Sequence, residues 1–412
     1  MKWNLDLGDN TEYELPFDGR KSISILLGAG FSVPKGYPTG KVVNESLENF
    51  DRFPVDFSPA GELAISTDGQ NPQFAICGQN QFQKHFIFCK RLIKKYSNLH
   101  GGFDYEEFFD FIKSKEVLLT EYMKLSEDLI GEFDNYHDFV SGIEPIYNQM
   151  VSYVLRDGEG KTWYDGEPNQ LGPIDGYDSF LKAIQKWSKD SIVNVHTLNH
   201  DLLFESFRRT EYLAGLISDG FDEYGSPYYG KLRLGNASYN VRLERYKARY
   251  NTPVRLYKLH GSLDYILYYR TVDNCILIPD NYVKLKEKMS PMDLMKARNS
   301  KIGYEKYPFA YHADFLTGSK SKIKRYNEPI LFKKLFKRFR NNLHQAETLL
   351  IIGYGGKDKK VNEMIQNYFD FKTKQVYIFD PYPSDALKEF ASSVRGKVIE
   401  KSVSDFTWQD IK

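Results

Sequence analysis

Cysteine is scarce in this chain of 412 residues: there are three, Cys77, Cys89 and Cys275. They are too few and too scattered for a disulfide framework or a cysteine-built zinc site, and the expected compartment is a reducing cytoplasm. Apolar runs of membrane-spanning length are missing, and the opening stretch MKWNLDLGDNTEYELPFDGR lacks the apolar core of a signal peptide, so no membrane association is expected. Neither sign of charge dominates. Lys plus Arg number 56 and Asp plus Glu 55, a balance that offers no global electrostatic footprint for direct nucleic-acid binding, although local patches escape such a sum. No internal repeat is visible. His196 and His200 straddle a strand-to-turn junction and lack the H-E-x-x-H pattern, so no metal is expected.

What is present is a series of short apolar runs alternating with helical patterns. Ile23, Ile25, Leu26 and Leu27 make a run short enough for a strand buried on both faces of a parallel sheet. Four more follow at Ser191–Val195, Leu256–Leu259, Thr348–Ile352 and Gln375–Phe379. Amphipathic helices are predicted over Gly40–Phe50, with Val42, Val43, Leu47 and Phe50 on one side, over Ser179–Lys189, and over the basic stretch Leu331–Leu343, which is read as a sheet-packed helix with a solvated outer face in preference to a contact with nucleic acid or an acidic partner. The pattern predicts an α/β fold, a doubly wound, Rossmann-like parallel sheet with its ligand crevice at the strand C-termini. The interval between the first two strands is too long for an ordinary crossover. Its helical periodicities, Phe82, Phe86, Cys89 and Ile93, then Phe108, Ile112, Leu119 and Met123, predict a helical insertion over residues 51–178 within one domain of residues 1–412. This insertion would serve as a lid or an oligomer surface. The turn-rich segment Glu159–Asp178 is expected to be a surface loop.

Each strand end carries a polar or glycine motif. Gly28-Ala29-Gly30 follows the first run, where glycine permits close approach of backbone N–H groups to a phosphate. Thr197-Leu198-Asn199-His200-Asp201 follows the second, and an amide two residues from a carboxylate suits a ligand's hydroxyls and carboxamide; Asn and Asp also suit helix N-caps. Lys258-Leu259-His260-Gly261-Ser262 ends the third run, and His260 is the candidate base, since imidazole accepts a proton near neutral pH. Gly353-Tyr354-Gly355-Gly356-Lys357-Asp358 is a second glycine turn. Asp380 ends the fifth run, placed to bond an adenosine ribose or to serve as a turn residue before Pro381.

These motifs in this order, GAGFS, TLNHD, KLHGS and GYGGKD, resemble the sirtuin family, and more closely its divergent bacterial anti-phage branch, in which SDGFD before KLHGSLDY and GYGGKDKKVNE near the end are also familiar. The resemblance implies a sirtuin-type sheet and NAD as substrate. Gly28, Ala29, Gly30 and Ser32 would cradle its phosphates, with Thr197, Gly353, Gly355 and Asp380 also facing it. Asn199 would hold the ribose or position water, Asp201 would bind the carboxamide, and His260 would be the general base. Two departures follow. The paired Cys-x-x-Cys zinc module of deacetylating sirtuins is absent after KLHGS, where only Cys275 occurs, and no acetyl-lysine channel is recognisable. The expectation is an NAD glycohydrolase that releases nicotinamide and ADP-ribose, held in check by homo-oligomerisation or by a HerA-type ATPase. A non-catalytic NAD- or ADP-ribose-sensing module, a purely structural scaffold and a zinc-independent deacylase are the alternatives.

Overall fold

In the computed structural model of the chain, Lys21–Leu27 forms strand β1 at the middle of a seven-stranded sheet. The structure describes residues 19–53, 55–57, 61, 63–65, 81–130, 135–155, 176–234, 236–272, 276–286, 289–298, 303–305, 309–318 and 320–411. Cys77, Cys275 and most of the turn-rich segment before Asp178 lie outside them. The other strands are β2 (Ser191–Thr197), β3 (Ile217–Ser218), β4 (Val254–Lys258), β5 (Thr348–Ile352), β6 (Gln375–Phe379) and β7 (Lys397–Ile399). Their spatial order is β7-β6-β5-β1-β2-β4-β3, and every pairing is parallel. The five expected strands are all present. The two additional ones are edge strands of two and three residues, too short to leave a periodicity.

Successive side chains of each strand serve opposite faces. On β5, Leu349 and Ile351 join a core with Phe332, Leu335, Phe336, Phe339 and Leu343 of helix α6 (Phe332–Gln345). Helices α7 (Lys359–Tyr368) and α8 (Asp385–Ser393) contribute Val361, Ile365, Leu387 and Phe390 to the same layer. Leu350 and Ile352 point the other way, to Phe180, Leu181 and Ile184 of α5 (Asp178–Trp187) and to Phe406. Both faces are therefore covered, as a doubly wound sheet requires, and each buried aliphatic side chain stabilises the fold by about 1.5–3 kcal/mol.

The segment between β1 and β2 is mainly helical. It includes α1 (Gly40–Glu48), α2 (Gln81–His100), α3 (Tyr105–Ile112) and α4 (Ile143–Val154), with a short hairpin pairing Val55–Phe57 with Leu63–Ile65. Phe86, Cys89, Ile93, Phe108, Ile112 and Met150 share its core with Leu263 and Phe315 from the later chain. Three apolar positions differ from the sequence reading. Val42 is 44% exposed, because it lies about 100° around the helix from Val43. Leu119 and Met123 are 53% and 39% exposed: α3 stops at Ile112, and Leu119 has extended backbone, which breaks the period that would have carried them inward.

Two four-stranded antiparallel sheets occupy much of the stretch between Gly220 and Glu305. One joins Tyr265–Val272, Ile276–Lys284, Arg245–Arg249 and Gly220–Asp222; the other joins Tyr304–Glu305, Leu294–Ala297, Tyr228–Leu234 and Ala237–Arg242. Sequence reasoning did not foresee them. Many of their residues are polar and exposed, as in Ala237–Arg242, and the hairpins are joined into sheets by partners distant in sequence, such as Leu294–Ala297 with Tyr228–Leu234.

His196, on β2, is fully buried, stacks on Tyr257 with ring centroids 5.0 Å apart, and lies 3.0 Å from the Asn342 amide. Burial pushes its pKa down to about 3. The folded value lies below the unfolded one of about 6.5, so its stabilising contribution is present above that pH and lost as pH falls toward 3. Acid titration followed by circular dichroism is expected to show stability decreasing through this window, and His196→Phe to make the decrease shallower. An unchanged acid limb in His196→Phe would exclude this residue as its source.

Candidate functional site

The sheet order places a topological switch point at β1. The chain passes from β1 to β2 on one side, while β5 pairs on the other, and ligands of such sheets bind beyond the strand C-termini at that point. The candidate residues consequently line up across the sheet end as Asp380 after β6, the second glycine turn after β5, Gly28–Ser32 after β1, Thr197–Asp201 after β2 and His260 after β4.

The two glycine turns touch each other through their backbones. Gly30 donates its N–H to Gly353 O at 2.9 Å, and Gly28 donates to Ile352 O at 3.0 Å. A Cβ on Gly28 would sit 2.6 Å from Gly353 O, one on Gly30 2.8 Å from Gly353 Cα, and one on Gly353 2.2 Å from Phe31 N. The absence of side chains at these three positions is thus explained by the packing of turn on turn. Ala29 and Gly355 are exposed, and a Cβ on Gly355 would meet nothing within 4 Å, so that stretch of backbone is open to a ligand.

Asn199 donates from Nδ2 to Gly28 O at 2.9 Å and to Ser32 Oγ at 3.1 Å, while its own N–H is received by Thr197 Oγ1 at 3.0 Å. The amide nitrogen is thereby committed to the loop, and the carbonyl oxygen is the part directed to other work. Ser32 also hydrogen-bonds Asp201, whose pKa burial raises against the opposing pull of Lys258. Asp201 Oδ1 accepts the Leu203 N–H at 3.0 Å, so the carboxylate caps a short helix as well. Lys258, 1% exposed, secures this turn from below: its ammonium lies 3.1 Å from Glu205 and donates to the carbonyls of His200 and Asp201. Sequence reasoning gave Lys258 no role, though the only signal was a lysine inside an otherwise apolar run.

His260 is 5% exposed. Its Nε2 lies 3.3 Å from Tyr326 Oη and 3.6 Å from Asp358 Oδ2, and Tyr326 donates to the same Asp358 oxygen at 3.3 Å. Lys322 lies 3.3 Å from Asp358 and 3.1 Å from Glu106 of α3. Burial, helped by Lys322, holds His260 well below its ordinary pKa and against the pull of Asp358, so the ring is neutral at pH 7. Burial raises Asp358, but the His260 ring when protonated, the Lys322 ammonium and the Val361 N–H together lower its pKa, so the carboxylate is ionised at neutral pH. Asp358 also caps α7 through the N–H groups of Lys360 and Val361, each at 3.1 Å. Asp358, Tyr326, Lys322 and Glu106 were not among the expected site residues. Asp358 stands in the GYGGKD motif, where the glycines drew the attention; the others come from segments without any local motif.

Asp380 is half-buried at the end of β6, accepts the Tyr382 N–H at 2.8 Å, and has its pKa raised by burial. This is the hydrogen bond expected of a turn residue; no hydrogen bond joins Asp380 to the His260 cluster among the described residues. His200 is buried against Phe315, its ring 6.3 Å from that of His260. Among the described residues no group of three or more His, Cys, Asp or Glu is arranged to hold a metal, and no helix is long and apolar enough to cross a membrane.

An open parallel α/β sheet with two interlocked glycine turns, an amide, a carboxylate and a buried imidazole at its strand ends is a doubly wound fold with its crevice at the switch point. Residues 193–400 match the SIR2-like domain family, and the chain belongs to that family. Among solved structures the chain is similar to a Sir2 homolog in complex with NAD, with 11% identity, 91% of this chain and 89% of that chain covered, and a TM-score of 0.35. It is also similar to a mutant Sir2 homologue in complex with 2'-O-acetyl ADP ribose, with 9% identity, 91% of each chain covered and a TM-score of 0.34. No curated protein matches the chain.

Proposed function

We propose that this chain cleaves the nicotinamide–ribose bond of NAD with water, giving nicotinamide, ADP-ribose and a proton. The observation that carries the reading is the pairing of a neutral, buried His260 with an ionised Asp358, on the turn segment next to the loop that fixes Asn199. Membership of the SIR2-like family and the NAD and ADP-ribose complexes of the similar structures support the choice of nucleotide.

NAD would lie across the strand ends with its phosphates over the exposed backbone at Ala29 and Gly355. Asp201 would receive the carboxamide N–H, and the Asn199 carbonyl oxygen would orient a ribose hydroxyl or the incoming water. Nicotinamide is already cationic in NAD, so it departs with the C–N electron pair and needs no acid; the transition state resembles an oxocarbenium ion. Water then adds at the anomeric carbon, and its proton passes to His260, directly or through a ribose hydroxyl. Asp358 would stabilise the imidazolium so formed and hold the ring in place, the role of the carboxylate in a histidine-based triad.

Asn can replace Asp as an N-cap. Asp358→Asn is therefore expected to keep the helix cap and the fold, with a melting temperature lowered by loss of the Lys322 ion pair, while lowering nicotinamide release by at least about 10-fold. Equal rates for the two proteins in a chromatographic assay would remove Asp358 from the mechanism.

Glu106 brings the helical region of residues 51–178 into contact with this network through Lys322, and we propose that region as the regulatory part, acting in a homo-oligomer or with a HerA-type ATPase. Unchecked NAD loss would kill the host cell, which accords with a bacterial anti-phage effector and with an off state. Incubation with NAD and chromatography of products tests the reaction. Calorimetric binding without products would select a sensing module instead, and activity gained on adding the ATPase encoded nearby would support control by a partner.

A further inference from the structure

A large cleft among the described residues contains none of the candidate site residues. It has a volume of 2820 Å³ and opens beside the first halves of β1, β2 and β4, between α6, the strand Arg245–Arg249 and the helical region. Thirteen of its lining residues are Lys or Arg and seven are Asp or Glu. In a chain with 56 cationic and 55 acidic residues, that excess is a segregation of charge that the overall balance conceals.

The acids are largely committed. Glu144 pairs with Lys113, Asp314 and Glu328 both hold Arg325, and Asp110 accepts the N–H groups of Lys320 and Ser321. The α6 sequence FKKLFKRFRNNLHQ contains no acid. Its cleft face presents Lys333 and Lys337, then Lys334 and Arg338, in two rows spaced about 6 Å along the axis. Across the cleft, the Arg245 Nε is buried with no hydrogen-bond partner among the described residues. Cations lining a concave, low-dielectric wall produce a stronger field than the same charges on a convex surface.

We infer that this cleft binds the phosphate backbone of a single-stranded nucleic acid. Rows of cations at regular spacing follow a repeating polyanion, whereas an isolated phosphate needs one cluster. The concave walls exclude a flat bilayer. Half-buried Tyr269 and the rings of His100 and His312 line the same cleft and supply faces on which bases can stack. The sequence expectation of no direct nucleic-acid binding came from net charge, which averages over both ends of the sheet, and from reading the basic stretch Leu331–Leu343 as a sheet-packed helix with a solvated outer face.

The test is fluorescence anisotropy of the full chain with labelled single-stranded RNA and DNA of about 20 nucleotides, titrated with salt from about 50 mM upward. Log affinity is expected to fall linearly with log salt, at about 0.7 per phosphate neutralised. Lys334→Ala/Arg338→Ala is expected to weaken binding at least about 10-fold and to reduce that slope by about 1.4. Arg245→Gln, on the opposite wall, is the second variant and is expected to weaken binding in the same direction; circular dichroism checks that each variant is folded. Absence of binding at about 50 mM salt, or folded variants that all bind like the parent, would overturn the inference. Competition by polyglutamate as effective as that by unlabelled oligonucleotide would also overturn it, assigning the cleft to an acidic protein segment. The assay does not involve NAD, so its failure and that of the proposed hydrolysis are separate results.

Discussion

His260→Ala is expected to release nicotinamide from NAD about 10²–10⁴-fold more slowly than the parent protein, the range that one positioned general base contributes. The imidazole is 5% exposed and lies 3.6 Å from Asp358 and 3.3 Å from Tyr326, so its removal leaves a small polar cavity. The sheet beneath is held by apolar cores that include Leu256, Leu349 and Ile351, and the parent fold is expected to persist. The rate is read by chromatography of nicotinamide and ADP-ribose, and folding by thermal unfolding of the same sample. A folded His260→Ala protein with the parent rate would end the assignment of the base. Asn199→Ala is expected to act more heavily on geometry, since it also releases Gly28 and Ser32. The pH profile separates the two further: a base already neutral through burial keeps the rate flat across neutral pH and loses it only on the acid side.

Gly353→Ala is the substitution expected to damage the fold most. Its φ of +63° lies in the left-handed region, and its Cβ would stand 2.2 Å from Phe31 N and 2.4 Å from Gly30 C. The strained dihedral and the collision with backbone atoms together cost about 2–5 kcal/mol. Relief requires the turns after β1 and β5 to separate, which breaks the Gly30 to Gly353 hydrogen bond and moves the exposed backbone at Ala29 and Gly355. Thermal unfolding should show a melting temperature lower by several degrees, together with weaker NAD binding by calorimetry. Gly355→Ala is the control: nothing lies within 4 Å of its Cβ, so stability should hold while NAD binding weakens. Parent-like stability in Gly353→Ala would mean that the two turns are not interlocked.

The parallel sheet was legible because its central strands are buried on both faces and are largely apolar: Thr348–Ile352 and Gln375–Phe379 coincide with observed strands. Gly28, Asn199 and His260 were legible for a related reason, since each directly follows such a run and a crevice can form only where strands end. The glycines were read as making room for a ligand. The structure adds a second cause for Gly28, Gly30 and Gly353, the approach of one turn to another separated from it by hundreds of residues.

By itself the sequence determined the five inner strands of the central sheet, which faces of α5 and α6 are apolar, and which polar residues stand at strand ends. Those properties rest on local alternation and on the burial of each side chain, and neighbours in sequence are enough to specify them. Only the tertiary structure decided that Asp358, Tyr326, Lys322 and Glu106 gather around one imidazole, and that cations from α6 and Arg245–Arg249 face a common cleft. Electrostatic interaction and desolvation depend on distance through space, and the strand order that sets those distances leaves no trace in local periodicity.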